Sequence, residues 1–171
     1  MYKFIILLLI LFVPLNTFSQ DKYFKLPQAK TQKPFLIFNK NIIGNDFLMN
    51  GFGTSEKEAR EKIKEMYVLK DKQNRELSDY YNLTEHGLVL FDLKDSLISK
   101  TQSELNKFFG LDKQNEIYID GYLLESKKYR IALIGITEIE IVEPDGVNGL
   151  NNRVLNIWTL AKNERYFKNE N

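Results

Sequence analysis

Two stretches of this chain match two others without gaps, and that recurrence constrains the fold more than any other feature. Phe35-Leu36-Ile37-Phe38-Asn39-Lys40-Asn41-Ile42-Ile43 lies over Glu116-Ile117-Tyr118-Ile119-Asp120-Gly121-Tyr122-Leu123-Leu124, and Ile63 to Leu69 lies over Ile136 to Val142. Each half opens with two short apolar runs about a turn. Asn39 tolerates the left-handed geometry of a tight hairpin, and Asp120-Gly121 supplies the two positive-φ positions of a type I′ turn. A capping box follows in each half, Ser55 with Glu58 and Thr101 with Glu104, where hydroxyl and carboxylate reciprocally satisfy orphan amides at a helix start. The first helix is charged and runs through Lys62. The second carries Leu105, Phe108 and Phe109 on one face and ends near Gly110.

Two strands close each half: Ile63 to Leu69 and Leu88 to Leu93, separated by a polar loop from Lys70 to Ser78, then Ile136 to Val142 and Val154 to Leu160. A short helix is expected over Lys127 to Leu133. Recurrence in a fixed order points to internal duplication, with two unrelated α+β halves as the alternative. The expectation is an α+β fold of two tandem repeats, residues 34–94 and 95–162. Each is hairpin, helix, strand, strand, with a small mixed or antiparallel sheet, and a polar tail follows over 163–171.

The N-terminus is a targeting segment. Lys3 precedes an unbroken apolar run from Phe4 to Val13, then Pro14 and the small-residue ending Thr17-Phe18-Ser19. That is the three-part layout of a secretory signal over residues 1–19, cleaved before Gln20. The run is half the roughly 20 residues needed to cross a bilayer, so no stable membrane insertion is expected after cleavage. Polar, Lys-rich residues with Pro27 then suggest a flexible leader over 20–33. The chain has no Cys, which rules out a disulfide framework and a lipidated N-terminal cysteine. An exported chain of about 150 residues must therefore be held by its core alone. Loss of Lys3 leaves 23 basic residues against 23 acidic ones, which argues against nucleic acid as a partner. Export without cysteine suits the periplasm or surface of a Gram-negative bacterium.

The second half also carries Tyr118-Ile119-Asp120-Gly121, then Ile136-Thr137-Glu138-Ile139-Glu140-Ile141-Val142, then Asn148-Gly149 and Ile157-Trp158-Thr159-Leu160-Ala161-Lys162. The first half carries Ile63 to Asp71 and Gly87 to Lys94. In this order the segments resemble the plug domain of TonB-dependent receptors, present twice. The resemblance implies a plug-like fold, an envelope address and a binding or accessory role, and it brings no catalytic residue with it. The sequence departs from the family in having no barrel after the plug-like part, and its glycine-rich stretch is reduced to Gly146-Val147-Asn148-Gly149.

Few residues suggest chemistry. Glu138 and Glu140 lie two apart on a strand, about 7 Å by strand rise, a separation that suits a pair of glycosidase carboxylates. Alternation with Ile139 and Ile141 equally reads as the solvated face of a half-buried strand. Gly51-Phe52-Gly53-Thr54-Ser55 precedes a helix start but lacks the lysine of a phosphate loop, and Glu56 and Glu58 crowd that end with negative charge. His86 is the only histidine, too little for a zinc site without cysteine. No metal and no cofactor is therefore expected. The aromatics Tyr80, Tyr81, Tyr118, Tyr122, Tyr129 and Trp158 suggest a sugar- or peptide-binding face if they share one. Tyr118, Asp120, Tyr122 and Trp158 are the candidate binding residues. The leading expectation is an exported, soluble, non-enzymatic envelope protein that recruits a protein or peptide through an exposed edge strand. The alternatives are a secreted hydrolase using acids drawn from Glu138, Glu140 and Asp120, and a small carbohydrate-binding module.

Overall fold

A computed structural model of the chain describes residues 23–27, 33–44, 55–69 and 75–165. The signal segment expected over residues 1–19 and the stretch Gly51-Phe52-Gly53 lie outside the described residues.

The fold is α+β. In chain order the elements are β1 (Phe35–Phe38), β2 (Ile42–Gly44), α1 (Glu56–Lys62), β3 (Ile63–Leu69), a 3-10 turn (Arg75–Thr84), β4 (Leu88–Leu93) and β5 (Ser99–Thr101). They continue with α2 (Gln102–Phe108), β6 (Ile117–Ile119), β7 (Tyr122–Leu123), β8 (Arg130–Ala132), β9 (Glu138–Val142) and β10 (Val154–Trp158). Among the described residues they form a six-stranded sheet in the order β3-β4-β1-β2-β8-β5 and a four-stranded sheet in the order β7-β6-β10-β9.

The same pairing order occurs in both sheets. A hairpin places β1 against β2 and β6 against β7; β4 then pairs β1 in parallel as β10 pairs β6, and β3 and β9 are added antiparallel on the outside. The registers correspond as well: Phe38 sits beside Phe91 and Phe91 beside Met66, as Ile119 sits beside Ile157 and Ile157 beside Ile139. Of these, Phe38 with Ile119 and Met66 with Ile139 are residues that the ungapped matches lay over one another.

Both turns hold their last strand by one device. Asn39 and Asp120 have φ of 48° and 49°, a left-handed conformation that their short polar side chains tolerate. Asn39 N–H donates to Phe91 O at 2.7 Å while its Oδ1 accepts from Leu93 N–H at 2.7 Å. Asp120 N–H donates to Ile157 O at 2.9 Å while its Oδ1 accepts from Thr159 N–H at 2.7 Å. The first hairpin differs in having one more turn residue, Asn41, since Phe38 pairs Ile42 whereas Ile119 pairs Tyr122.

The halves are not separate units. β8 pairs β2 in parallel and β5 pairs β8, so two strands of the second half extend the sheet of the first. This corrects the helix expected over Lys127 to Leu133, where the chain forms β8 followed by a 3-10 turn at Leu133–Gly135. Burial explains it: Tyr129 and Ile131 turn into the core while Arg130 between them points out and donates to Ser99 Oγ and Ser99 O, both at 2.9 Å. That is strand periodicity.

One main core lies between the sheets. Phe35, Ile37, Ile43 and Leu88 from the first meet Ile117, Ile119, Leu155 and Ile157 from the second, joined by Leu105 and Leu111. The Thr101–Glu104 capping box is complete at the start of α2, and Ser55 Oγ accepts from Glu58 N–H at 3.3 Å at the start of α1. Phe108, however, is 81% exposed and does not share the buried face of Leu105. Position 108 is three residues beyond 105, but the short helix ends there, and only Leu105 and the half-buried Phe109 reach the core.

The leader and the tail are corrected too. Within the leader, residues 23–27 dock on the edge of β7: Leu26 N–H donates to Gly121 O at 2.8 Å, Leu123 N–H to Phe24 O at 3.0 Å, and Leu26 is buried beside Tyr118, Val142 and Val154. At the other end Arg165 is buried, so the docked chain extends past the expected start of the tail.

Candidate functional site

The second hairpin turn, the outer strand β9 and the end of β10 bring together Asp120, Glu138, Glu140, Trp158, Thr159 and Arg165. Asp120 is 2% exposed. Its carboxylate accepts from Thr159 N–H at 2.7 Å, Thr159 Oγ1 at 2.6 Å and Leu160 N–H at 3.3 Å. Burial pushes its pKa up, and these donors together with the charge of Arg165 pull it partly back.

Cross-strand register explains the rest. Glu138 lies opposite Trp158 and Glu140 opposite Asn156, so both acids share the face of β10 that points away from the main core. Trp158 Nε1–H donates to Glu140 Oε2 at 3.1 Å, and the Arg165 guanidinium stacks over the Trp158 ring with its carbon 4.4 Å from the centroid. Arg165 Nη1 donates to Glu138 Oε2 at 2.5 Å, and Lys162 Nζ lies 3.4 Å from Glu138 Oε1. The hydrogen bond from Arg165, reinforced by the charges of Arg165 and Lys162, holds Glu138 below the usual carboxylate range. A glycosidase acid needs the opposite shift on an accessible group. In this cluster Asp120 is raised but enclosed, and Glu138 is accessible but lowered.

The candidate binding residues are neighbours in one sheet but do not form a surface, since Tyr118 and Tyr122 lie on opposite faces of it. Tyr118, Tyr122 and Trp158 are all buried with Asp120, which corrects the exposed aromatic face that a peptide or sugar site requires. The physical reason differs by face: Tyr122 turns into the main core against Phe35, while Tyr118 lies on the opposite side of the sheet beside the leader residue Leu26 and Trp158 is covered there by Arg165. Burial and the neighbouring Glu116 push the Tyr118 hydroxyl up to about 12. Tyr122 donates from its hydroxyl to Glu85 Oε2 at 2.5 Å, and Lys25 Nζ reaches the same oxygen at 2.7 Å. His86 Nε2 stands 3.9 Å from it. Burial raises Glu85, but the hydrogen bonds from Lys25 and Tyr122 and the charges of Lys25 and His86 outweigh it and leave the group lowered. This cluster pins the leader to the fold. Among the described residues no group of three or more His, Asp or Glu is placed to hold a metal, and no helix is long and apolar enough to cross a membrane.

Among the described residues the strand edge that stands open is β3. It is one of the two outer strands of the six-stranded sheet, seven residues long, with Met66 57%, Tyr67 54% and Val68 51% exposed. Backbone direction follows from its neighbour. Asn39 N–H takes the carbonyl of Phe91, so residues 89 and 91 face β1 while 88, 90 and 92 face β3. Their partners Leu69, Tyr67 and Glu65 turn toward β4, and the N–H and C=O groups of Met66 and Val68 point outward. Other edges are shielded: β5 has three residues, β7 is bridged by Lys25, and β9 carries Glu138 and Glu140.

Sequence reasoning anticipated an exposed edge strand without saying which. Met66 to Leu69 is an unbroken apolar run, the pattern of a buried strand, so nothing local marks it as the open one. Arg165 was missed outright, hidden in what reads as a polar tail.

No known protein family, curated protein or solved structure matches the chain.

Proposed function

We propose that this is an exported, non-enzymatic accessory protein of the bacterial envelope that binds an extended protein segment by adding it as a strand to the outer edge of β3. A single observation carries the reading: a seven-residue outer strand with three consecutive large apolar side chains more than half exposed and outward-facing backbone groups at Met66 and Val68. Natural sheets blunt such edges with charge, proline or brevity unless the edge is used. The enclosed or ion-paired state of Asp120 and Glu138 supports a binding role over a hydrolytic one, and burial of Tyr118, Tyr122 and Trp158 removes the surface that a carbohydrate-binding module needs. The matching pairing order of the two sheets supports a duplicated plug-like unit as the origin of the fold. The signal segment supports a periplasmic or cell-surface address.

The test is photo-crosslinking in the envelope of the producing bacterium. A benzophenone amino acid in place of Tyr67 is expected to give a protein adduct identifiable by mass spectrometry, and the same group in place of Val147, which is also exposed, to give none. Absence of any adduct from position 67 overturns the reading.

A further inference from the structure

We infer that the strand added to β3 comes from a second copy of this chain, in an antiparallel pair centred on Tyr67. This rests on β3 being a binding edge and names its occupant. Self-complementarity carries the argument. With Tyr67 opposite the partner's Tyr67, Met66 lies opposite the partner's Val68 and Val68 opposite the partner's Met66. The residues whose backbone groups point outward then meet each other and exchange hydrogen bonds, and the three exposed apolar side chains of each copy cover those of the other. Tyr67 falls in a non-hydrogen-bonded position, where cross-strand side chains approach most closely. Glu65 falls opposite the half-buried Leu69 of the partner subunit and keeps its bond from Tyr67 Oη at 2.5 Å within its own copy.

Registers centred nearer the start of the strand are worse. Centring on Glu65 sets two carboxylates face to face, and like charges directly opposite are destabilising. Centring on Met66 sets Val68 against Lys64, where the ladder between Ile63 and Glu65 is irregular. Shifting by a single residue sets outward-facing backbone against inward-facing backbone and loses the ladder. Each chain has one β3, and a two-fold pairing uses it completely, so the assembly closes at two copies.

Three measurements on the full mature chain decide the matter. Sedimentation of the native chain at micromolar concentration is expected to show twice the chain mass; a monomer at ~100 μM overturns the inference. Val68→Pro deletes one outward N–H that takes no part in the β3–β4 ladder, a substitution edge strands accept. It is expected to give a folded monomer with unchanged Trp158 fluorescence, and a folded Val68→Pro dimer overturns the inference. Tyr67→Cys introduces the chain's only thiol. Non-hydrogen-bonded antiparallel partners lie about 4.5 Å apart at Cα, within disulfide reach. Mild oxidation is therefore expected to link Tyr67→Cys chains in pairs and to leave Val147→Cys chains unlinked; equal linking of both overturns the proposed register. A monomeric chain whose position 67 crosslinks to a different envelope protein refutes self-pairing while leaving the binding edge in place.

Discussion

Replacing Asp120 with alanine removes the acceptor on which the end of β10 hangs, and its cost can be worked from the contacts. Two backbone amides, Thr159 N–H and Leu160 N–H, lose their carboxylate partner in a site that is 2% exposed. A buried donor left unsatisfied costs about 1–3 kcal/mol. Alanine at φ of 49° adds about 1 kcal/mol, because its Cβ meets the following carbonyl without a polar group to compensate. Relief of a buried charge offsets part of this, so the net loss is set at about 3 kcal/mol. Asp120→Asn is the control. It keeps an acceptor oxygen and tolerates the left-handed turn, and Asn39 already performs the same task in the first hairpin. Its cost is expected to stay within ~1 kcal/mol, in the range of a single hydrogen bond. Urea unfolding reports both, since Trp158 is the only tryptophan and touches Glu140 and Arg165 beside this turn. An Asp120→Ala loss below ~1 kcal/mol, or an Asp120→Asn loss as large as that of alanine, refutes the reasoning that acceptor geometry is what the position supplies.

Three further outcomes are expected. Glu104 is held at about 2 by the Thr101 amide and hydroxyl and by Lys100. Because its folded pKa is depressed below the unfolded value of about 4.3, its stabilising contribution is full above that value and is lost as pH falls toward 2. The difference in urea midpoint between the native chain and Glu104→Gln is therefore expected to shrink between pH 6 and pH 2. Leu26→Ala removes a fully buried side chain from the docked leader and is expected to cost about 2–4 kcal/mol in urea unfolding, whereas a flexible leader predicts no change. Leu105→Ala is expected to cost about 2–4 kcal/mol while Phe108→Ala stays within ~0.5 kcal/mol, a contrast that thermal melts of the two variants check.

Much of the fold was legible because it is local. Asp-Gly fixes a hairpin through backbone sterics alone, a Thr-x-x-Glu box fixes a helix start through two hydrogen bonds within one turn, and β3 and β4 run over the residues their apolar runs delimit. The tertiary structure alone decided where the halves interlock. Lys127 to Leu133 has helical propensity enough, and only the open edges of β2 and β5 make it a strand. The leader carries no strand signal until the backbone of β7 offers partners to Phe24 and Leu26. The candidate aromatic residues and Met66 to Val68 exchange places for the same reason. Burial is a property of neighbours distant in sequence, so Tyr118, Tyr122 and Trp158 are covered by segments far along the chain, while an apolar run of interior character is left at the rim of its sheet.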